Sequence, residues 1–256
     1  MANFTIAVAG KGGVGKTTTC GMIVDYLAKK HDGPILVVDA DANSNLNEVL
    51  GVEVETTLGA IREEMAQAEL RGDTIPSGMT KADYAEFKFN SALVEEDDYD
   101  LLVMGRTQGK GCYCYVNGVL KTQVDKYAGN YKYMVIDNEA GLEHIARGTL
   151  PHVDLLLLVS DSSRRGIQAV ARIAEMVREL ELKPGRMQLI VNRAPGGVLD
   201  DGVKQEIDRH GLELLGVLPQ DDSVYRCDCD GLPSSKLPDS APAKLAVANI
   251  MKQLGL

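Results

Sequence analysis

Residues 4–18 read Phe4-Thr5-Ile6-Ala7-Val8-Ala9-Gly10-Lys11-Gly12-Gly13-Val14-Gly15-Lys16-Thr17-Thr18, and the fold follows from this run. Phe4–Ala9 is a short apolar segment with strand character. From Lys16 to Lys30 the apolar residues Met22, Ile23, Tyr26 and Leu27 recur at helical spacing. Between strand and helix stands G-x-x-x-x-G-K-[ST]. Its glycines let backbone N–H groups turn inward around phosphate oxygens, helped by the positive end of the helix. In that geometry Lys16 reaches the β- and γ-phosphates and the Thr17 hydroxyl ligates Mg²⁺.

Outward from this run, short strands alternate with helices. Strands are expected at Ile35–Val38, Leu101–Met104, Tyr133–Ile136, Leu155–Val159, Gln188–Val191 and Leu214–Leu218. Helices are expected at Leu142–Leu150, Gly166–Leu182, Asp200–Arg209 and Ala243–Leu254. Such alternation specifies an α/β protein, with a doubly wound, mainly parallel sheet flanked by helices. The 256 residues suit one P-loop domain over 1–256, and 56–98 is expected to insert irregular or helical structure.

Composition narrows the function. The formal charge is −10, the wrong sign for holding nucleic acid through its phosphates. Most of the excess lies in 53–100, an acidic insertion with 13 acidic and 4 basic residues. It reads as a solvated face, or as a surface that attracts a basic partner or metal cations. No apolar window is long enough to span a membrane, and no signal-peptide pattern is expected at the N-terminus. Five cysteines, an odd number, fit a reducing cytoplasm. Neither a nucleic-acid nor a membrane partner is expected.

Carboxylates end two of the strands. Val37-Val38-Asp39-Ala40-Asp41 puts two Asp at the C-terminal end of a strand, where open α/β sheets bind ligands. A carboxylate near a γ-phosphate can orient water and accept a proton. Tyr133-Met134-Val135-Ile136-Asp137 has the form of a Walker B strand, with Asp137 holding Mg²⁺ through water.

Lys11, a second lysine inside the loop, makes the run resemble the deviant Walker A family of ATPases. That family includes the nitrogenase iron protein, the MinD and ParA partitioning ATPases and metallochaperone ATPases. The resemblance implies ATP and ADP as ligands and an ATP-dependent homodimer in which Lys11 contacts the partner's nucleotide. It places Gly10, Gly12, Gly13, Val14, Gly15, Lys16, Thr17 and Thr18 around the phosphates. Asp39 and Asp137 fall in the Mg²⁺ shell, and Asp41 beside the attacking water. Asn192, Arg193 and Pro219 lie at the adenine, where an Asn amide offers both a donor and an acceptor. Asn138-Glu139-Ala140-Gly141-Leu142-Glu143-His144 resembles the family's second switch, with Gly141 freeing a backbone N–H to report the γ-phosphate.

Four cysteines form Cys112-Tyr113-Cys114 and Cys227-Asp228-Cys229, while Cys20 is expected in the core. Two thiolates at C-x-C spacing leave a metal half-coordinated, and a symmetric dimer supplies the other half. Four sulfurs suit Ni²⁺ in a plane or Zn²⁺ in a tetrahedron. The lysine, Asp-x-Asp, Cys-x-Cys and Asp-Asn-Glu-Ala-Gly-Leu-Glu-His together resemble CooC-type nickel-inserting ATPases over nearly the whole chain. That resemblance makes Cys112 and Cys114 the nickel ligands, and apo carbon monoxide dehydrogenase or acetyl-CoA synthase the client. Cys227 and Cys229 depart from the pattern and are expected as ordinary loop cysteines, with an extra metal-holding site as the alternative. Two other functions are weighed. A ParA- or MinD-like positioning ATPase is disfavoured by the acidic charge and the lack of a basic amphipathic C-terminal helix. An iron–sulfur electron-transfer ATPase is disfavoured by the C-x-C spacing.

Overall fold

Among the described residues the alternation of elements gives an eight-stranded sheet. The computed structural model describes residues 4–72, 78–105, 129–139 and 152–256. In chain order the elements are β1 (Phe4–Gly10), α1 (Lys16–Lys30), β2 (Ile35–Ala40), α2 (Leu46–Leu50), α3 (Leu58–Arg71), α4 (Lys81–Asn90), β3 (Leu93–Glu95) and β4 (Asp100–Val103). They continue with β5 (Tyr133–Asn138), β6 (Leu155–Asp161), α5 (Arg164–Glu179), β7 (Arg186–Ala194), α6 (Asp201–Arg209), β8 (Leu214–Pro219), α7 (Asp222–Cys229) and α8 (Pro242–Gln253). The strand order is β3-β4-β2-β5-β1-β6-β7-β8. Among the described residues every pairing is parallel except β3 with β4 at one edge.

The strands are apolar on both sides because helices cover both faces. Side chains alternate between faces. Ala7, Leu36, Val38, Ile136 and Leu158 belong to the core on one face, which α3, α5 and α6 complete through Leu58, Ile61, Ile167, Val170, Val203 and Ile207. Ile6, Val8, Val37, Val135 and Leu157 pack under α1 and α8, through Ile23, Leu27, Val247 and Ile250.

Most strands extend beyond their apolar cores, and the extensions carry the polar ends. β2 runs on to Asp39 and Ala40, β5 to Asp137 and Asn138, and β7 to Asn192, Arg193 and Ala194. The helix expected from Gly166 begins earlier, at Arg164, because the Ser163 hydroxyl caps it by accepting from Gly166 N. The acidic insertion holds α3 and α4, and then the short β3, which hydrophobic pattern alone did not single out. Cys227 and Cys229, expected in a loop, lie in helix α7. The expected helix Leu142–Leu150 falls outside the described residues.

Candidate active site

β1, β5 and β2 are neighbours in the sheet, so their C-terminal ends open onto one crevice. The phosphate loop leaves β1 there. It turns through Gly13 (φ 79°) and Gly15 (φ 91°), left-handed conformations that favour glycine. Gly15 then caps α1. A Cβ on Gly15 would also collide with the Asn192 amide nitrogen, so this position is closed to side chains twice over. Lys11, Gly12 and Gly13 are exposed, Val14 is buried, and Gly10 ends β1. Lys16 is buried with its charge close to Asp137, and Thr17 and Thr18 are half-buried at the start of the helix.

The two strand-end carboxylates meet here. Asp39 and Asp137 stand opposite each other in the β2–β5 register, and both are buried. Asp39 has backbone donors on both oxygens: Asp41 N at 3.0 Å on Oδ1 and Leu46 N at 3.0 Å on Oδ2. It therefore ties the strand end to the start of α2. Burial nonetheless raises it to about 7, aided by the neighbouring Asp137 and Asp41 charges, against those two N–H donors. Asp137 is raised to about 6, again chiefly by burial, while the Thr17 hydroxyl and the Lys16 charge pull the other way. Its Oδ1 is buried without a hydrogen-bond partner. Asp41 is half-buried, and its Oδ1 accepts from Asn43 N at 2.8 Å and Asn43 Nδ2 at 3.1 Å.

An orphaned buried carboxylate oxygen, a second buried carboxylate and the Thr17 hydroxyl beside Asp137 fit a hard divalent cation. A Mg²⁺ ion bound with phosphates needs only one or two protein oxygens. Among the described residues no group of three or more His, Cys, Asp or Glu is assembled to hold a metal.

At the far side of the loop, Asn192 is buried, and its Nδ2 donates to Val14 O at 2.9 Å. Arg193 donates from Nη1 to Gly13 O at 3.1 Å. Pro219 ends β8, and Gln220 N donates to Ala194 O at 2.9 Å, joining that loop to the end of β7. Cys112, Cys114, Gly141, Glu143 and His144 lie outside the described residues.

Two features were not legible in the sequence. Cys20 is fully buried as expected, but it lies against the Asp137 carboxylate and not in purely apolar surroundings. Burial, then Asp137, pushes its thiol well above its ordinary value. Its position one helical turn after Thr17 is the signal that would have shown this. Cys227 and Cys229, two apart on α7, point to roughly opposite sides of the helix. Cys227 instead donates to Leu232 O at 3.2 Å, and Cys229 is exposed, so the two do not form a chelating pair.

Sheet, loop and buried carboxylates define a P-loop nucleotide-binding protein. A model of the CobQ/CobB/MinD/ParA nucleotide binding domain matches residues 5–234, and the chain belongs to this family of P-loop ATPases. It is 44% identical to an uncharacterized ATP-binding protein of Methanocaldococcus jannaschii, with 97% of each chain covered. It is 31% identical to the carbon monoxide dehydrogenase accessory protein CooC of Rhodospirillum rubrum, covering 89% of this chain and 88% of that one. Among solved structures, a ParA family ATPase from Chlorobium tepidum superposes with a TM-score of 0.72 over 99% of both chains at 18% identity, a likeness of fold. No helix among the described residues is long and apolar enough to cross a membrane.

Proposed function

We propose that this ATPase is a nickel metallochaperone, inserting Ni²⁺ into the active-site cluster of carbon monoxide dehydrogenase or acetyl-CoA synthase in the cytoplasm. The observation that carries the reading is Cys112-Tyr113-Cys114 in a chain 31% identical to a protein named as a carbon monoxide dehydrogenase accessory protein. Nickel is the cargo, held by two pairs of thiolates across a homodimer, and Zn²⁺ satisfies the same ligands. The γ-phosphate is present in one nucleotide state and absent in the other. It therefore biases the dimer and the geometry of the sulfurs.

In this reading the loop N–H groups of residues 10–18 and the Lys16 ammonium bind the phosphates of ATP. Lys11 extends from its exposed position toward the partner's nucleotide. Asp41 orients water for attack on the γ-phosphorus. The bond to the β-phosphate oxygen breaks, ADP leaves, and the water's proton passes to the released phosphate. Thr17, Asp39 and Asp137 would hold Mg²⁺, which when bound would supply charge neutralisation at the phosphate oxygens. Asn192, Arg193 and Pro219 flank the adenine.

The test is equilibrium dialysis of Ni²⁺ and Zn²⁺ with and without ATP, with the molecular mass measured alongside. One nickel per dimer, lost in the Cys112→Ala/Cys114→Ala double variant with nucleotide binding retained, is the expected result. Unchanged nickel stoichiometry in that variant overturns the sulfur site, and a protein that stays monomeric in every nucleotide state overturns the shared interface. A brown iron–sulfur spectrum from anaerobically purified protein would assign the chain to electron transfer instead.

A further inference from the structure

The end of β7 grips the phosphate loop across a long stretch of sequence. Asn192 Nδ2 donates to Val14 O at 2.9 Å, and Arg193 Nη1 donates to Gly13 O at 3.1 Å. These are the carbonyls of two successive peptides. The chain contains no cis peptide bond among the described residues, and in a trans peptide the C=O and N–H point in opposite directions. Anchoring the Gly13 and Val14 carbonyls to β7 therefore turns the Val14 and Gly15 N–H groups away from β7. Those N–H groups belong to the set that a phosphate loop presents to its anion.

The grip is itself held in place. Asn192 Oδ1 accepts from Arg193 N at 2.8 Å, which fixes the amide so that its nitrogen faces Val14. Arg193 adopts a left-handed backbone (φ 56°), uncommon for a residue with a side chain. Its carbonyl accepts from Ser162 Oγ at 3.3 Å, so the turn after β6 helps to hold that conformation. A strained, over-determined residue beside a ligand loop marks a place where precise placement matters more than local energy. Gly15 completes the fit, because any side chain there would displace the Asn192 amide.

We propose that Asn192 and Arg193 are positioning residues for the phosphate loop, holding it in its anion-binding form whatever base the nucleotide carries. The inference rests on the reading of residues 10–18 as the phosphate site. It separates from the adenine assignment because a brace acts on phosphate alone, whereas a base reader acts only when a base is present. Each Asn192 amide group retains capacity for one more hydrogen bond, so the two roles are compatible in one side chain.

The experiment compares binding of Mg-ATP, Mg-GTP and Mg-tripolyphosphate, which has no base, to the wild-type chain and to Asn192→Ala, Arg193→Ala and Arg193→Lys. Amide exchange across residues 10–18 is measured on the same proteins without ligand. In Arg193→Ala and Asn192→Ala, affinity for tripolyphosphate should fall by about tenfold, or about 1.4 kcal/mol, and affinity for ATP by at least as much. Exchange in the loop should quicken, while exchange in β8 and α8 stays as in wild type. Arg193→Lys, which keeps a donor, should recover part of both. Loss of ATP binding with tripolyphosphate binding and loop exchange unchanged would overturn the brace and leave base reading alone. If wild-type protein binds neither ATP nor tripolyphosphate, the phosphate-site reading itself fails.

Discussion

Asp39 on β2 and Asp137 on β5 face each other in register, two buried carboxylates on neighbouring parallel strands. Nothing in a fold needs such a pair, since each raises the cost of ionising the other. The arrangement makes sense where a cation and a polyphosphate enter between them, so the nucleotide-free chain carries a local penalty.

That penalty has a pH dependence. Both pKa values are raised in the folded state, from 3.8 to about 7 for Asp39 and about 6 for Asp137. The folded chain therefore binds more protons than the unfolded chain between pH 4 and 7, and its stability without nucleotide falls as pH rises through that window. Asp137→Asn removes one of the two charges. It should raise the thermal midpoint of the nucleotide-free chain at pH 8, flatten its decline from pH 5 to 8, and lower ATP turnover by a hundredfold or more, of the order of 3 kcal/mol. Differential scanning calorimetry across pH and a phosphate-release assay check this. A variant less stable than wild type at pH 8 would contradict it.

A third carboxylate shows the opposite behaviour. Glu206 on α6 has its side chain only 2% exposed, and it accepts from Gln168 Nε2 at 2.8 Å and Arg164 Nη2 at 2.9 Å on α5. The Gln168 hydrogen bond, then that from Arg164, hold it down from 4.5 to about 2. Its contribution to stability is complete above pH 4.5 and disappears as pH falls toward 2. Glu206→Gln should leave a thermal midpoint lower by several degrees at pH 7, with the difference closing below pH 3. None of these contacts involves residues 10–18, so ATP turnover at 25 °C should stay within twofold of wild type.

Asp221 joins two helices that the sequence does not connect. Its Oδ1 accepts from Ser223 N at 2.9 Å at the start of α7, and its Oδ2 from Ala243 N at 2.9 Å at the start of α8. Partial burial opposes ionisation, but the Ala243 and Ser223 donors outweigh it and keep the carboxyl below its ordinary range. One side chain thus caps two helix N-termini. Asp221→Ala should cost about 2 kcal/mol, and Asp221→Asn, which keeps a single acceptor oxygen, about half of that. Urea denaturation midpoints measure both. A loss in Asp221→Ala with almost none in Asp221→Asn would mean that only one of the caps contributes, and equal losses in the two variants would contradict the shared cap.

Contacts that are local in sequence were readable, and contacts that are not were hidden. The Gly10–Thr18 pattern, the apolar strands and the terminal Asp39 and Asp137 are each set by neighbouring residues, and α1 runs over the expected Lys16–Lys30. The resemblance places Asn192 at the adenine, but its hold on the phosphate loop is hidden in the sequence, because its loop partner Val14 is 178 positions away. α7 was missed for a different reason. None of its residues is buried, so it carries no strong apolar stripe to read. The Asp221 cap that starts it resembles ordinary turn chemistry until Ala243 is brought alongside.

The C-terminal helix is fastened by charge as well as by its apolar face. Lys244 on α8 is buried, with its Nζ 2.8 Å from Asp25 Oδ2 on α1 and 3.0 Å from Leu237 O. Lys29 stands 3.4 Å from the same Asp25 oxygen and 2.6 Å from Asp239. Replacing Lys244 by Met keeps the length and apolar stem but leaves Asp25 buried with only the half-exposed Lys29 as counter-charge. The expected loss is about 3 kcal/mol, the lower end for breaking a buried pair, because Lys29 still offsets part of the charge. Asp25→Asn combined with Lys244→Met removes both buried charges, so the double variant should be more stable than Lys244→Met alone. A double-mutant cycle on urea midpoints measures the coupling directly. Additive losses would show that α8 is held by its apolar contacts with Val247, Ile250 and Met251 and owes nothing to this pair.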